Sequence, residues 1–281
     1  MQRILHLVPG ADNLANGIAV AARLIAASQG VGAATVIDLS AADVPTIRAA
    51  DEVWVHSMWL PEIRRVCRLV LAEHKPLIRM PHGALDPIRL NYHAWKKCWF
   101  SIPERALYRR AARIVVTCPA EEKWTRDYVS RIQNVEIIDL RKFFPMPATR
   151  TALASAADGL HLLYLGRRHP LKGIEFLEAA VMGLKGCTLR IESNVFGEEK
   201  ERLWEWCDVL VLPTLSENFG LVVAEALAHG KRVITTDGAP VWSDLTPEQG
   251  IYIHGYRDAT RAHRVNLLRD AILTLLQRAR G

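Results

Sequence analysis

The chain has 281 residues, of which half are hydrophobic, with a formal net charge of +6 and an isoelectric point near 9.2. This composition supplies cores for about two domains of ordinary size and excludes a disordered polymer. No apolar run reaches the ~20 residues that span a bilayer, and the opening segment MQRILHLVPG has the pattern of a β-strand instead of a secretory leader.

Short runs rich in Val, Ile and Leu alternate with stretches of helical length along the whole chain. Such runs are typical of parallel strands covered on both faces, and their alternation with helices indicates doubly wound α/β sheets. In the first half the predicted strands are 3–8, 34–39, 53–56, 77–80, 114–117 and 135–138. In the second half they are 161–165, 188–192, 208–212, 232–236 and 251–253.

Two loops of the first half follow predicted strands and are candidates for ligand contact. Gly17 ends the loop after the first strand and begins a helix, but residues 9–17 lack the GxGxxG pattern of dinucleotide-binding proteins. His82 and Gly83 follow the strand at 77–80, where an imidazole can donate a hydrogen bond to a ligand oxygen. A purely structural histidine is the alternative interpretation.

Positive charge is concentrated between residues 86 and 115, where seven Lys and Arg residues outnumber two acids and alternate with aromatic residues. The residues concerned are Arg89, Lys96, Lys97, Arg105, Arg109, Arg110 and Arg113, with Trp95, Trp99, Phe100 and Tyr108. A solvated helix face is one interpretation. The other is an electropositive, aromatic surface that meets anionic lipid headgroups or an anionic acceptor.

The domain boundary is predicted where periodicity is lost. Residues 141–159 hold two prolines and many Ala, Ser and Thr. We therefore predict a first domain over 1–145, a linker over 146–159 and a second domain over 160–281, both Rossmann-like and facing one another across a cleft. The tail 258–281 is a basic helix that can pack back on the first domain.

A cationic loop follows the first strand of the second half. Gly166 ends the strand HLLYL, Arg167, Arg168 and Lys172 follow, and Gly173 begins the next helix. A helix N-terminus combined with Arg and Lys is an anion site, and a diphosphate is the obvious anion. The alternative is a basic surface loop without a ligand.

Two acids, Glu217 and Glu225, flank the helix start that follows the strand DVLVL. Seven residues separate them, so both can line one side of a cleft at different depths and accept hydrogen bonds from sugar hydroxyls. The amides of Asn218, Phe219, Gly220 and Leu221 can face phosphate or sugar oxygens. Plain capping charges are the alternative for this spacing.

Several common motifs are missing from the sequence. There is no P-loop, no GxSxG or HExxH motif, and no DxD pair of the kind that holds a divalent metal on a nucleotide sugar. The five cysteines form no CxxC pair, so neither a zinc site nor a disulfide framework is indicated. We expect a cytoplasmic protein with reduced thiols and without a cofactor or catalytic metal.

Three segments, taken in order, resemble the family 4 retaining glycosyltransferases of the GT-B fold. They are PHGALDP, GRRHPLKG, and DVLVLPTLSENFGLVVAEALAHGKRVITT with its E-x7-E pair. The resemblance covers most of the chain and is strongest over 161–237. Departures are the short segment 193–207, where family members usually carry a further β-α unit near the nucleotide base, and the loop DGAPVWSDL after residue 236.

The resemblance implies a role for each matching residue. Arg167 and Lys172 would neutralise the donor diphosphate, Glu217 would contact the transferred sugar, and Glu225 would bind the ribose. His82 would reach the donor sugar, and the loop around Gly17 would close over the phosphates or shape the acceptor site. Transfer would proceed with retention and without a metal.

The leading hypothesis is thus a retaining hexosyl- or heptosyltransferase. It uses a nucleotide sugar to build a bacterial surface glycan, such as lipopolysaccharide core or a capsule precursor, and it can associate with the inner face of the membrane through 86–115. A GT-B protein that binds a nucleotide sugar or serves as a scaffold without catalysis is the alternative. An epimerase or phosphorylase of the same architecture is a further one, and no nucleic-acid partner is indicated.

Overall fold

The computed structural model describes residues 2–13, 16–30, 32–92, 94–145, 147 and 159–280. The chain divides into two compact units, Met1–Phe143 and Phe144–Gly281. Most of the predicted linker, residues 146 and 148–158, lies outside the described residues. Within the described part of the chain, no helix is both long and apolar enough to cross a membrane.

The first unit contains a six-stranded parallel sheet with the strand order β2-β1-β3-β4-β5-β6. Every strand predicted in the first half of the sequence is confirmed, with ends that differ by one residue at most. The strands are β1 (Ile4–Val8), β2 (Ala34–Asp38), β3 (Glu52–His56), β4 (Leu77–Met80), β5 (Arg113–Val116) and β6 (Val135–Ile137).

Six α-helices connect or follow these strands within the described part of the first unit. Local sequence explains several of their starts, because Pro61 and Pro119 occupy the first helical position of α3 and α6, where no amide hydrogen bond is lost. The helices are α1 (Gly17–Ser28), α2 (Val44–Ala49), α3 (Pro61–Ala72), α4 (Pro87–Asn91), α5 (Ala94–Arg109) and α6 (Pro119–Tyr128).

The second unit contains a five-stranded parallel sheet with the strand order β11-β10-β9-β7-β8. All five strands predicted in this half are confirmed. They are β7 (Leu160–Leu165), β8 (Cys187–Glu192), β9 (Val209–Leu212), β10 (Arg232–Thr236) and β11 (Gly250–Ile253). Strand β9 is buried along its whole length, and each buried Val or Leu side chain contributes about 1.5–3 kcal/mol.

Among its described residues, the second unit has four α-helices. They are α7 (Ile174–Val181), α8 (Gly197–Trp206), α9 (Leu221–Ala228) and α10 (Arg261–Arg280). Helix α10 corresponds to the predicted tail helix. It packs against α7 of its own unit, where the Arg269 guanidinium donates to the carbonyl of Ala180 over 3.0 Å.

Strand order fixes where each sheet can bind a ligand. In the first sheet β1 lies between β2 and β3, and in the second β7 lies between β8 and β9. The chain leaves β1 and β3 in opposite directions along the first sheet, and it leaves β7 and β9 in opposite directions along the second. With right-handed crossovers, the helices that follow the two strands of each pair lie on opposite faces of the sheet, which leaves a crevice at the carboxyl ends of those strands. Loops after β1 and β3, and after β7 and β9, therefore border these switch points.

Candidate functional site

The loop after β7 is held in shape by its own polar groups. The Tyr164 hydroxyl donates to the Arg167 carbonyl over 3.0 Å, and His169 Nδ1 accepts from the Leu171 amide over 3.1 Å. Gly173 then adopts φ +64°, and a Cβ placed there would lie 2.2 Å from the Pro213 carbonyl oxygen. Glycine is therefore required where this loop passes the end of β9.

The loop after β9 is tied to the loop after β7. The Leu171 carbonyl accepts both the Leu215 amide, over 2.8 Å, and the Thr214 hydroxyl, over 3.1 Å. On its other side the Glu217 amide donates to the carbonyl of Gly238 over 2.7 Å. Three strand-end loops are thus bonded together at the switch point of the second sheet.

An ion pair joins the two sequence motifs of the second unit. Lys172 Nζ contacts Glu217 Oε2, and the two side chains are only 11% and 17% exposed. The sequence assigns these residues to different parts of a ligand, and the structure brings them into direct contact. Removing one partner of a shielded pair leaves the other charge uncompensated. Each of these two side chains therefore needs the other, or a charged ligand, to compensate its charge.

A second cation predicted for this site is accessible to solvent. Arg167 is exposed beside the buried ring of Tyr164, and burial, then the charge of Glu217, raises the pKa of that tyrosine. Tyr164 thus lies within electrostatic reach of both Glu217 and Arg167. Nothing in the sequence singled it out, because a tyrosine inside an apolar strand is typical of the core.

Two helix N-termini border the same loops. Gly173 precedes α7, and Gly220, with φ +73°, precedes α9; neither helix start is capped by a side-chain hydrogen bond. The Phe219 carbonyl accepts from the Trp242 indole over 2.5 Å, which fixes the turn into α9. The positive ends of both helices are consequently available for an anion.

Glu225 lies on α9 and is bound differently from Glu217. Its carboxylate pairs with Lys200 of α8 over 2.7 Å, and both side chains are 24% exposed. Lys200 was not predicted as a site residue. The only signal was its position in the short segment between β8 and β9, which a single helix fills.

The predicted residues of the first unit lie at the carboxyl ends of its central strands. His82 is 5% exposed, with φ +53°, and its Nε2 lies 2.8 Å from His56 Nδ1. Burial lowers the pKa of His82 to about 3. The following Gly83 amide donates to the buried carboxylate of Glu121, whose pKa is raised by burial.

Gly17 is the first residue of α1, as predicted. The helix start is capped from within the chain, because Asn16 Oδ1 accepts from the Ile18 amide over 3.1 Å. Asn16 Nδ2 also donates to the Pro9 carbonyl over 2.7 Å. This loop borders the switch point of the first sheet.

The basic segment 86–115 is divided between internal and surface roles. Lys97 donates to the Tyr92 carbonyl over 2.8 Å, and Arg113 pairs with Glu52 over 2.8 Å. Trp99 and Ile102, by contrast, are 84% and 79% exposed. The side chains of Trp95 and Lys96 lie outside the described residues.

Among the side chains that the structure describes, no group of three or more His, Cys, Asp or Glu residues is arranged to hold a metal ion. The described cysteines are all free thiols, two of which, Cys98 and Cys187, are not fully buried.

Comparison with known proteins finds similarity to glycosyltransferases. Residues 146–278, nearly the whole second unit, match the family described as Glycosyl transferases group 1. A D-inositol 3-phosphate glycosyltransferase of Paenarthrobacter aurescens (strain TC1) is 24% identical over 212 residues, 61% of this chain and 52% of that protein. The chain spans about half the length of the curated relatives it matches.

Solved structures resemble the chain across both units. Sucrose-phosphate synthase from Thermosynechococcus elongatus superposes with a TM-score of 0.72 at 18% identity, over 99% of this chain and 90% of that one. HepE of Anabaena, in complex with UDP-glucose, gives 0.68 at 14% identity, over 99% and 95%. The two Rossmann-like sheets therefore form a fold of the GT-B type.

Proposed function

We propose that the chain is a glycosyltransferase that moves a sugar from a nucleoside diphosphate to a hydroxyl of an acceptor glycan. The observation that carries this proposal is the contact between Lys172 and Glu217 at the switch point of the second sheet. A cation and a sugar-binding carboxylate meet where doubly wound sheets bind ligands. A sugar diphosphate suits such a pair, because its phosphate oxygens attract a cation and its sugar hydroxyls donate hydrogen bonds to a carboxylate.

The diphosphate would lie against the loop after β7 and the starts of α7 and α9. Arg167 and Lys172 supply positive charge there, and the uncapped helix N-termini supply amides. Charge develops on the diphosphate as its bond to the sugar breaks, and preorganised cations and amides stabilise that charge. Lys172 would share its donors between Glu217 and the phosphate once the ligand is bound.

The remaining roles follow the resemblance of the motifs. Glu217 would bind hydroxyls of the transferred sugar, Glu225 the ribose, and His82 the donor sugar. For Glu225 this requires that Lys200 keep the carboxylate in place while its free lone pairs accept from the ribose.

Transfer is proposed to occur with retention of the anomeric configuration. The acceptor oxygen forms a bond to the anomeric carbon on the face that the diphosphate leaves. The bond to the diphosphate oxygen breaks, and the acceptor proton passes to that oxygen. The protein's part in such a step is to hold the two oxygens close and to stabilise charge, which Arg167 and Lys172 can do without a metal.

The names of related proteins support a nucleotide sugar as donor. Relatives include D-inositol 3-phosphate glycosyltransferases, and HepE of Anabaena was solved with UDP and with UDP-glucose. For the acceptor we propose a bacterial surface glycan such as lipopolysaccharide core or a capsule precursor. The sugar transferred to it would be a hexose or a heptose. This acceptor is supported by the exposed surface of α5, which carries the apolar side chains of Trp99 and Ile102 and the basic side chain of Arg109.

A direct test measures release of nucleoside diphosphate from UDP-, GDP- and ADP-sugars by the full chain, with and without glycan acceptors. The expected result is acceptor-dependent release from one donor class, unchanged by EDTA, with the product linkage in the donor's anomeric configuration. Tight nucleotide binding without any release would instead favour the non-catalytic binding or scaffold protein. Loss of activity in EDTA that added metal restores would overturn metal independence.

A further inference from the structure

Three histidines of the first unit form a continuous chain of hydrogen bonds. His6 Nδ1 lies 3.0 Å from His56 Nε2, and His56 Nδ1 lies 2.8 Å from His82 Nε2. At the far end, His6 Nε2 lies 2.9 Å from the side-chain oxygen of Gln29, at the end of α1. The chain thus runs from the C-terminus of α1 across β1 and β3 to the turn after β4.

Burial makes all three imidazoles neutral at physiological pH. His6 and His56 are completely buried, and His82 is 5% exposed. Burial lowers the pKa of His6 to about 4 and of His82 to about 3, and it lowers the pKa of His56 well below its usual value. A neutral imidazole has one donor nitrogen and one acceptor nitrogen, so each ring must pass the direction of hydrogen bonding on to the next.

Gln29 sets this direction. Its side-chain oxygen can only accept, so His6 carries its proton on Nε2 and presents Nδ1 as an acceptor to His56 Nε2–H. His56 Nδ1 accepts in turn from His82 Nε2–H. His82 Nδ1 is left with its lone pair, and it makes no hydrogen bond to any residue within the described ranges.

The backbone around His82 shows that its position is imposed by its surroundings. Ser57, Trp59 and His82 all have positive φ values, of 74°, 71° and 53°, at the carboxyl ends of β3 and β4. Such conformations are strained for non-glycine residues and tend to cluster at functional sites. Glu121 holds the turn by accepting from the Gly83 amide and from the Thr117 amide and hydroxyl.

We propose that Gln29, His6 and His56 are positioning residues that hold His82 in its Nε2–H tautomer, so that Nδ1 accepts a hydrogen bond from a hydroxyl of the donor sugar. This inference rests on the proposed function and reverses the donation by His82 that the sequence alone suggests. An imidazole lone pair attracts a sugar O–H and repels phosphate and carboxylate oxygens. His82 therefore selects the polyhydroxylated part of the donor and not its diphosphate.

Nitrogen NMR of the full chain, recorded without any ligand, tests the tautomer directly. Two-bond ¹⁵N–¹H correlations distinguish the two neutral forms, and the His82→Asn variant assigns the signals of His82. We expect the Nε2–H form in the wild type. We also expect a shift towards the Nδ1–H form in Gln29→Met, which removes the acceptor at similar volume. Gln133→Met, an exposed glutamine of the same unit, is the matched control and should leave the spectrum of His82 unchanged.

Kinetics with the nucleotide sugar that the chain uses complete the test. In Gln29→Met, kcat/KM for the donor should fall about threefold to tenfold, the scale of one hydrogen bond, chiefly through KM. An Nδ1–H tautomer in the wild type, or a His82 spectrum that Gln29→Met leaves unchanged, overturns the inference. Because the spectra need no donor, absence of turnover with an Nε2–H His82 would refute the proposed function alone.

Discussion

The pairing of Lys172 with Glu217 explains how two opposite charges can occupy a shielded position before a ligand arrives. Each side chain loses most of its hydration, and each is compensated by the other. The ion pair holds the ammonium group of Lys172 in place, and an anionic ligand would compete with Glu217 for that group.

Replacing Lys172 by alanine should lower kcat about 10²- to 10³-fold, the usual cost of removing one donor that stabilises developing charge. The variant also leaves Glu217 uncompensated, so its free energy of unfolding should fall. Steady-state donor turnover and urea denaturation measure the two effects. Lys185→Ala, at an exposed lysine of the same unit, should change neither.

Combining Lys172→Ala with Glu217→Ala separates structure from catalysis. The double variant no longer holds an unpaired charge, so it should be more stable than Lys172→Ala while remaining inactive. If the double variant recovered turnover along with stability, Lys172 would have no direct role on the diphosphate.

Gly173 is the residue on which the spacing of the two loops depends. Gly173→Ala should destabilise the second unit, because the new Cβ meets the Pro213 carbonyl and the backbone has φ +64°. Gly183 has a similar φ of +73° and no atom within 4 Å of an added Cβ, so Gly183→Ala carries the backbone cost alone. Urea unfolding should place Gly173→Ala about 1 kcal/mol or more below Gly183→Ala; equal stabilities would contradict the close approach.

At the scale of elements, the strands were predictable and the contacts between their loops were not. Parallel strands buried on both faces must be short and apolar, so β9 and β10 could be recognised from composition alone. The Glu225–Lys200 pair and the histidine chain join residues far apart in sequence, and they arise only when sheet order brings loop ends together. Sequence motifs singled out Lys172 and Glu217 but assigned them to separate ligand groups, and the structure brings the two side chains into contact.

The histidine chain links three adjacent strand regions and makes the first unit sensitive to acid. His6 has a folded pKa of about 4 and His82 of about 3, whereas an unfolded histidine titrates near 6.5. Below pH 6.5 the unfolded state therefore binds more protons than the folded state. The free energy of unfolding therefore has its full value above pH 6.5 and decreases as the pH falls towards 4.

Urea midpoints measured at pH 7 and pH 5 should show this loss, and His6→Asn should reduce it. His74 is exposed with φ +54°, a conformation that asparagine tolerates, so His74→Asn is the matched control and should keep the full pH dependence. If the wild type were equally stable at both pH values, this would contradict the neutral, buried state of the three histidines.

At the scale of the whole molecule, the residues discussed above are distributed over both units. The second unit holds the cationic loops and matches a glycosyl transferase family over nearly its full length, whereas the first unit holds the histidine chain and the exposed surface of α5.

The exposed surface of α5 leads to a prediction about where the molecule works. Trp99 and Ile102 are 84% and 79% exposed, and Arg109 and Arg110 at the end of α5 are also exposed, so apolar and cationic groups share this surface. Vesicles containing anionic phospholipid should co-sediment the full chain at low salt and release it as salt rises, because the screening length falls from about 10 Å at 0.1 M to about 3 Å at 1 M. Trp99→Ser should weaken binding, whereas Met182→Ser, which changes a 73% exposed apolar residue of the second unit, should not. Equal binding to neutral and anionic vesicles, or binding that salt leaves unchanged, would show that this surface does not recognise a charged membrane.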